Sequence, residues 1–85
     1  MKQFTFTVTD PQGIHARPAG VLIKKVKEFQ CRVSIEKDGK IADARKMFAV
    51  LGLGVKCGET VAFTFEGEDE EQAAAAIAEL LREQF

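Results

Sequence analysis

The sequence predicts an α+β chain of four strands and three helices in the order β-α-β-β-α-β-α. The architecture is an open-faced sandwich, a four-stranded antiparallel sheet with three helices on one face. Three observations carry the prediction. Period-two alternation recurs in separate short runs, beginning with Phe4-Thr5-Phe6-Thr7-Val8. Two longer stretches, around Ala19–Val26 and Ala73–Leu81, place apolar residues at helical spacing. Asp38-Gly39 stands between two strand-like runs as a two-residue hairpin signal. Split βαβ connections put the fourth strand between the first and second. The 85 residues form one domain, 1–85, without repeats or linkers.

Residues 2–8 form the first strand, with Phe4, Phe6 and Val8 on one face and Thr5, Thr7 and Thr9 on the other. Asp10-Pro11-Gln12-Gly13 is a turn. A helix follows to about Glu28, because Ala19, Leu22, Ile23 and Val26 fall at i, i+3, i+4 and i+7. Pro18 fits only its first turn, where a missing N–H costs nothing. Residues 31–37 are the second strand, with Cys31, Val33 and Ile35 inward. Residues 40–43 return as a short edge strand that Lys40 and Asp43 protect from foreign pairing.

Residues 46–53 read as a short helix ended by glycine. Met47, Phe48 and Leu51 cover one arc, and Val50 and Leu53 another. A short helix needs one apolar face for the core. Either both arcs are buried or the first meets a partner, and the residues leave both readings open. Gly52, Gly54 and Gly58 are backbone punctuation, since no GK[ST] follows to make a phosphate loop. Residues 60–66 are the fourth strand, with Val61, Phe63 and Phe65 inward. Residues 69–84 are the last helix, buried along Ala73, Ala76, Ile77, Leu80 and Leu81. Asp69, Glu70 and Glu71 in its first turn suit the helix dipole and serve as capping and solubilising acids.

The N-terminal residues alternate as a strand rather than forming a signal peptide, and no apolar run spans a membrane. The chain is expected in the cytoplasm, with no direct membrane insertion. Cys31 and Cys57 have no CxxC spacing and no second histidine beside them, so no metal site is expected. Cys31 is a buried filler, Cys57 lies in a turn, and a disulfide does not suit a reducing compartment. No cofactor motif is present. The net charge of −1 hides a strong asymmetry. Residues 1–56 carry eleven Lys/Arg against five Asp/Glu, a balance of +6; residues 57–85 carry one against eight, a balance of −7. A basic pole attracts an acidic protein surface. Nucleic acid is the weaker reading, because Trp and Tyr are absent and the pI of about 5.8 is below neutrality.

The chemistry concentrates in Gly13-Ile14-His15-Ala16-Arg17-Pro18-Ala19-Gly20. His15 is the only histidine and sits at the helix entrance. Backbone N–H groups there lack intrahelical partners and favour an anion. Arg17 adds a planar donor fork suited to phosphate. A nitrogen nucleophile beside an anion cradle points to a phosphoryl group carried on His15. Arg17, Lys24 and Lys27 share one quadrant of the first helix, either as a solvated lysine face or as a docking stripe that begins at the active turn.

The stretch Gly-Ile-His-Ala-Arg-Pro-Ala-Gly resembles the active-site signature of HPr, the histidine phosphocarrier family of the bacterial phosphoenolpyruvate:sugar phosphotransferase system. The resemblance extends over the whole chain: its length, the position of His15, the element order, and Leu53-Gly54-Val55-Lys56-Xaa-Gly58 before the last strand. It implies that enzyme I loads Nδ1 of His15 and that the group passes to a sugar-specific enzyme IIA. Arg17 would pair with the phosphoryl oxygens inside a cradle formed at Ala16, Arg17 and Pro18. The family's hydrophobic docking surface would map to Met47, Phe48 and Leu51, and the charges of Lys24, Lys27 and Lys46 are expected to join it in partner docking. The chain would act as a monomeric co-substrate rather than an enzyme, with no cofactor and no nucleic acid partner. Relatives often carry a regulatory serine where Lys46 stands, and lysine forms no stable phosphate ester, so serine-kinase control is not expected here. The alternatives are an HPr-like regulatory binding module, including a nitrogen-branch paralogue, and a passive anion-binding domain.

Overall fold

The computed structural model describes residues 1–85. The elements follow the expected order: β1 (Lys2–Thr7), α1 (Ala16–Val26), β2 (Arg32–Lys37), β3 (Lys40–Asp43), α2 (Met47–Gly52), β4 (Thr60–Glu66) and α3 (Glu70–Gln84). All four strands pair antiparallel in one sheet, in the order β1-β4-β2-β3. β4 therefore lies between β1 and β2, and β3 is an edge. Phe4 faces Phe63 across the β1–β4 ladder, and Ile35 faces the same Phe63 from β2. Phe4, Phe63 and Phe65 stack with centroids 5.4–6.3 Å apart.

One face of the sheet is dry. Val33, Ile35, Val61, Phe63 and Phe65 are buried against Leu22 and Val26 of α1 and Ala73, Ile77 and Leu81 of α3 in a single cluster. The opposite face carries Thr5, Thr7, Thr60 and Glu36 in solvent. Burying this much apolar surface on one side supplies the main drive for folding. No helix is long and apolar enough to cross a membrane.

Most departures from the expected boundaries are a residue or two at an end. α1 stops at Val26 rather than about Glu28, because Glu28 and Phe29 donate to Lys25 and Val26 in a tighter turn. Leu53 closes α2, and Gly54 behind it takes a positive φ of 64°. Asp38 and Gly39 both have positive φ, 50° and 84°, the geometry of a type I′ hairpin. In α3, Ala76 and Leu80 are half-buried and only Ala73, Ile77 and Leu81 lie fully inside.

The first-turn acids of α3 depart further. Asp69 makes no side-chain cap. Its carboxylate instead accepts the N–H groups of Gln30 at 2.7 Å and Cys31 at 2.9 Å, stitching α3 to the start of β2. The Gln30 N–H holds the Asp69 carboxyl below its ordinary range. Glu70 accepts the Gly67 N–H and pairs with the terminal amine of Met1, which holds its carboxyl low as well. Cys31 is buried and its thiol is pushed up by desolvation; Cys57 is exposed, and both are free.

Candidate functional site

The turn that carries His15 is built by Asp10. Its carboxylate Oδ1 accepts the Gln12 N–H at 2.8 Å, and its carbonyl accepts the Gly13 N–H at 2.8 Å. The Gln12 contact is the main reason that the Asp10 carboxyl lies below its usual range. The other oxygen, Oδ2, stands 3.4 Å from His15 Nε2. Upstream, the Phe85 carbonyl oxygen accepts three donors, the N–H groups of Thr9 and Asp10 and the Thr9 hydroxyl, at 2.7–2.8 Å. Downstream, the Ile14 N–H donates to the Val55 carbonyl at 3.0 Å.

His15 occupies the N-cap position of α1 with extended backbone and no side-chain cap. Its side chain is 34% exposed. Ala16 and Arg17 are the first two helical residues, and neither N–H bonds within the chain. Pro18 has no N–H and is buried, and the Ala19 N–H returns to the His15 carbonyl at 3.0 Å. Two backbone donors therefore remain at the helix mouth. Gln12, His15, Ala16 and Arg17 line an open depression there. Arg17 is exposed and enters none of the chain's ion pairs.

Beside this mouth lies a mixed surface. Phe48 is 89% exposed, while Met47 and Leu51 on the same arc are half-buried and Val50 is fully inside. The two arcs of α2 thus have different fates: Val50 and Leu53 join the core, while Met47 and Leu51 pack against its margin and Phe48 stays open. α1 meets α2 at Gly20, where an added Cβ would lie 3.5 Å from the Met47 methyl carbon, an ordinary contact distance, so the approach does not require glycine. Lys24, Lys27 and Lys46 are exposed, and Lys46 is the N-cap of α2.

The family model of the phosphotransferase-system HPr component phosphorylation site matches residues 2–83. The chain belongs to the HPr family. The HPr phosphocarrier of Lysinibacillus sphaericus is 43% identical over 83 residues, covering 98% of this chain and 94% of that protein. The crystal structure of HPr-C-His from Thermoanaerobacter tengcongensis superposes with a TM-score of 0.94 at 34% identity, over 100% of this chain and 96% of the other. The catabolite repression protein Crh of Bacillus subtilis, described as a swapped dimer, gives 0.79 at 32% identity over 99% and 97%. This HPr chain is accordingly a phosphocarrier of the phosphotransferase system, a family that works through contacts with the system's enzymes.

Two contributors to the site have no signature in the sequence. In the sequence Asp10 reads as part of a turn, not as a partner of the ring. Its position five residues before His15 hinted at nothing until the turn folded back. The Val55 carbonyl carries no side-chain signature at all.

Proposed function

We propose that the chain carries a phosphoryl group on Nδ1 of His15, taking it from phospho-enzyme I and passing it to a sugar-specific enzyme IIA in phosphoenolpyruvate-dependent sugar uptake. One observation carries this reading: a half-exposed imidazole with Asp10 on Nε2 stands at a helix mouth whose Ala16 and Arg17 N–H groups are unpaired. With the proton on Nε2 facing Asp10, the lone pair lies on Nδ1, which has no partner in the chain. That lone pair attacks phosphorus, the bond from phosphorus to the donor's histidine nitrogen breaks, and the donor nitrogen keeps the electron pair. No proton need move. The ring becomes cationic, and the Asp10 carboxylate offsets that charge.

The phosphoryl oxygens are met by the Ala16 and Arg17 N–H groups and by the Arg17 guanidinium. Pro18 shapes the cradle without donating to it. Such transfer depends on position and charge more than on covalent help from side chains. Exposed Lys24 and Lys27 on α1 and Lys46 at the start of α2, together with Met47, Phe48 and Leu51, make the docking surface, cations and apolar side chains for an acidic partner. Lys46 replaces a phosphorylatable side chain with a fixed charge, so this surface is not switched by a serine kinase. We assign the cytoplasm as the setting, consistent with two free thiols. We take the monomer as the working unit, because His15, Ala16 and Arg17 follow one another along a single helix entrance.

The likeness to Crh favours a second reading, a regulatory module that acts through protein contacts without relaying phosphate. Incubation with phosphoenolpyruvate and enzyme I separates the two. The carrier gains one acid-labile phosphate by mass, and His15→Ala abolishes the gain while the circular dichroism spectrum stays unchanged. Arg17→Ala slows transfer about 10- to 100-fold. Undiminished labelling of His15→Ala ends the carrier reading.

A further inference from the structure

The loop between α2 and β4, residues 53–59, is the platform under the His15 turn. Its Val55 carbonyl holds the Ile14 N–H at 3.0 Å, its Gly58 N–H donates to the Val8 carbonyl at 2.7 Å, and the Cys57 thiol lies 3.6 Å from the Thr9 carbonyl. The platform is itself fastened from outside. Lys37, the last residue of β2, reaches across with a side chain only 16% exposed. Its Nζ lies 3.0 Å from Glu59 Oε1, 3.2 Å from the Gly54 carbonyl and 3.5 Å from the Leu53 carbonyl. The same Glu59 oxygen accepts the Lys56 N–H at 2.7 Å. One ammonium thus directs its three donors to both ends of a single loop. Its positive charge also sits where the carbonyls at the end of α2 point.

We propose that Lys37, paired with Glu59, is a positioning residue for phosphoryl acceptance: by clasping the two ends of the 53–59 loop it keeps the Val55 carbonyl, and through it the His15 turn, in register with the mouth of α1. The inference rests on the carrier reading above. Lys37 bonds neither to His15 nor to any of the docking residues. It acts through backbone. Gly13 also sits directly on the platform, where an added Cβ would lie only 2.2 Å from the Val55 oxygen, so turn and loop meet backbone to backbone. A turn that moves with its platform changes the approach of Nδ1 to phosphorus, and transfer is steeply sensitive to such displacement.

The test compares the full chain with Lys37→Met, Lys37→Arg and Glu59→Gln, using phosphoenolpyruvate and enzyme I for rates and amide NMR for the turn. Lys37→Met lowers the maximal rate about ten-fold while the KM for the carrier changes less than about two-fold. Its Ile14 and His15 amide resonances shift. Lys37→Arg, which keeps the cation, recovers most of the rate. Glu59→Gln, which keeps an acceptor for the Lys56 N–H, gives a smaller loss of the same kind and stands in if Lys37→Met fails to fold. A folded Lys37→Met labelled at the parent rate overturns the proposal, and so do unmoved Ile14 and His15 resonances. A parent chain that takes no phosphate instead removes the carrier reading, and the positioning role falls with it.

Discussion

Gly13 shows how a single absent carbon shapes the site. Its φ of 68° lies in the left-handed region, and a Cβ would meet the Val55 oxygen at 2.2 Å and the Lys56 Cα at 2.8 Å. Backbone on both sides leaves nothing flexible to give way. Gly13→Ala should therefore cost about 2–4 kcal/mol, combining the left-handed penalty with overpacking. A fall in the urea midpoint with an unchanged m-value measures it; a midpoint equal to the parent's would mean that the turn can rotate away from Val55. Residues of this kind divide into the legible and the hidden. His15 and Arg17 announce themselves by side-chain chemistry and by their place before Pro18. Asp10 does not, because its partnership with Nε2 exists only after Gln12 and Gly13 have closed the turn on it. Asp69 is hidden for a related reason. A carboxylate in a helix's first turn satisfies the dipole rule, but the donors it binds are Gln30 and Cys31, which are 39 and 38 residues away.

At the scale of elements, α2 is the instructive case. Its spacing displayed two apolar arcs, and periodicity states which residues share a face without stating what covers it. The fold covers Val50 and leaves Phe48 standing in solvent. An aromatic ring so placed contributes almost nothing to folding, so Phe48→Ala should change stability by less than about 0.5 kcal/mol. The same truncation removes the apolar centre of the proposed docking surface, where such rings concentrate binding energy. We expect the KM for the chain as substrate of enzyme I to rise about ten-fold, with the maximal rate little changed. Equal KM values for parent and variant would place docking elsewhere. The strands were the most legible elements, since alternation marks both the strand and its buried face. Helix ends were less so. The stop of α1 at Val26 is set by the turn that Glu28 and Phe29 make beyond it, and no residue there is a breaker.

Across the whole molecule, the acids are not spread evenly, and several of them hold separate parts of the chain together. Asp10 ties the His15 turn, Glu59 the loop before β4, Asp69 the start of β2, and Glu70 the N-terminus. In each, hydrogen bonds to the ionised form, mostly from backbone N–H groups, hold the carboxyl below its ordinary value. A carboxyl with a lowered folded pKa binds fewer protons folded than unfolded in the acid range. Its stabilisation is complete above the unfolded values, 3.8 for Asp and 4.5 for Glu, and disappears as pH falls through the folded ones. The urea midpoint should therefore be level from neutrality to about pH 5 and fall steeply below about pH 4. Asp69→Asn keeps a carbonyl acceptor but nothing that titrates. It should lower the midpoint at pH 7, where the charged form is the better acceptor, and flatten the fall in acid, so that the two curves draw together as pH drops below 3.8. Parallel curves for parent and variant throughout the acid fall would show that the link from Asp69 to Gln30 and Cys31 adds nothing to the acid sensitivity. The fall would then belong to the other three carboxylates, and the Glu59→Gln curve would be the next to compare, because its clasp also supports the His15 turn.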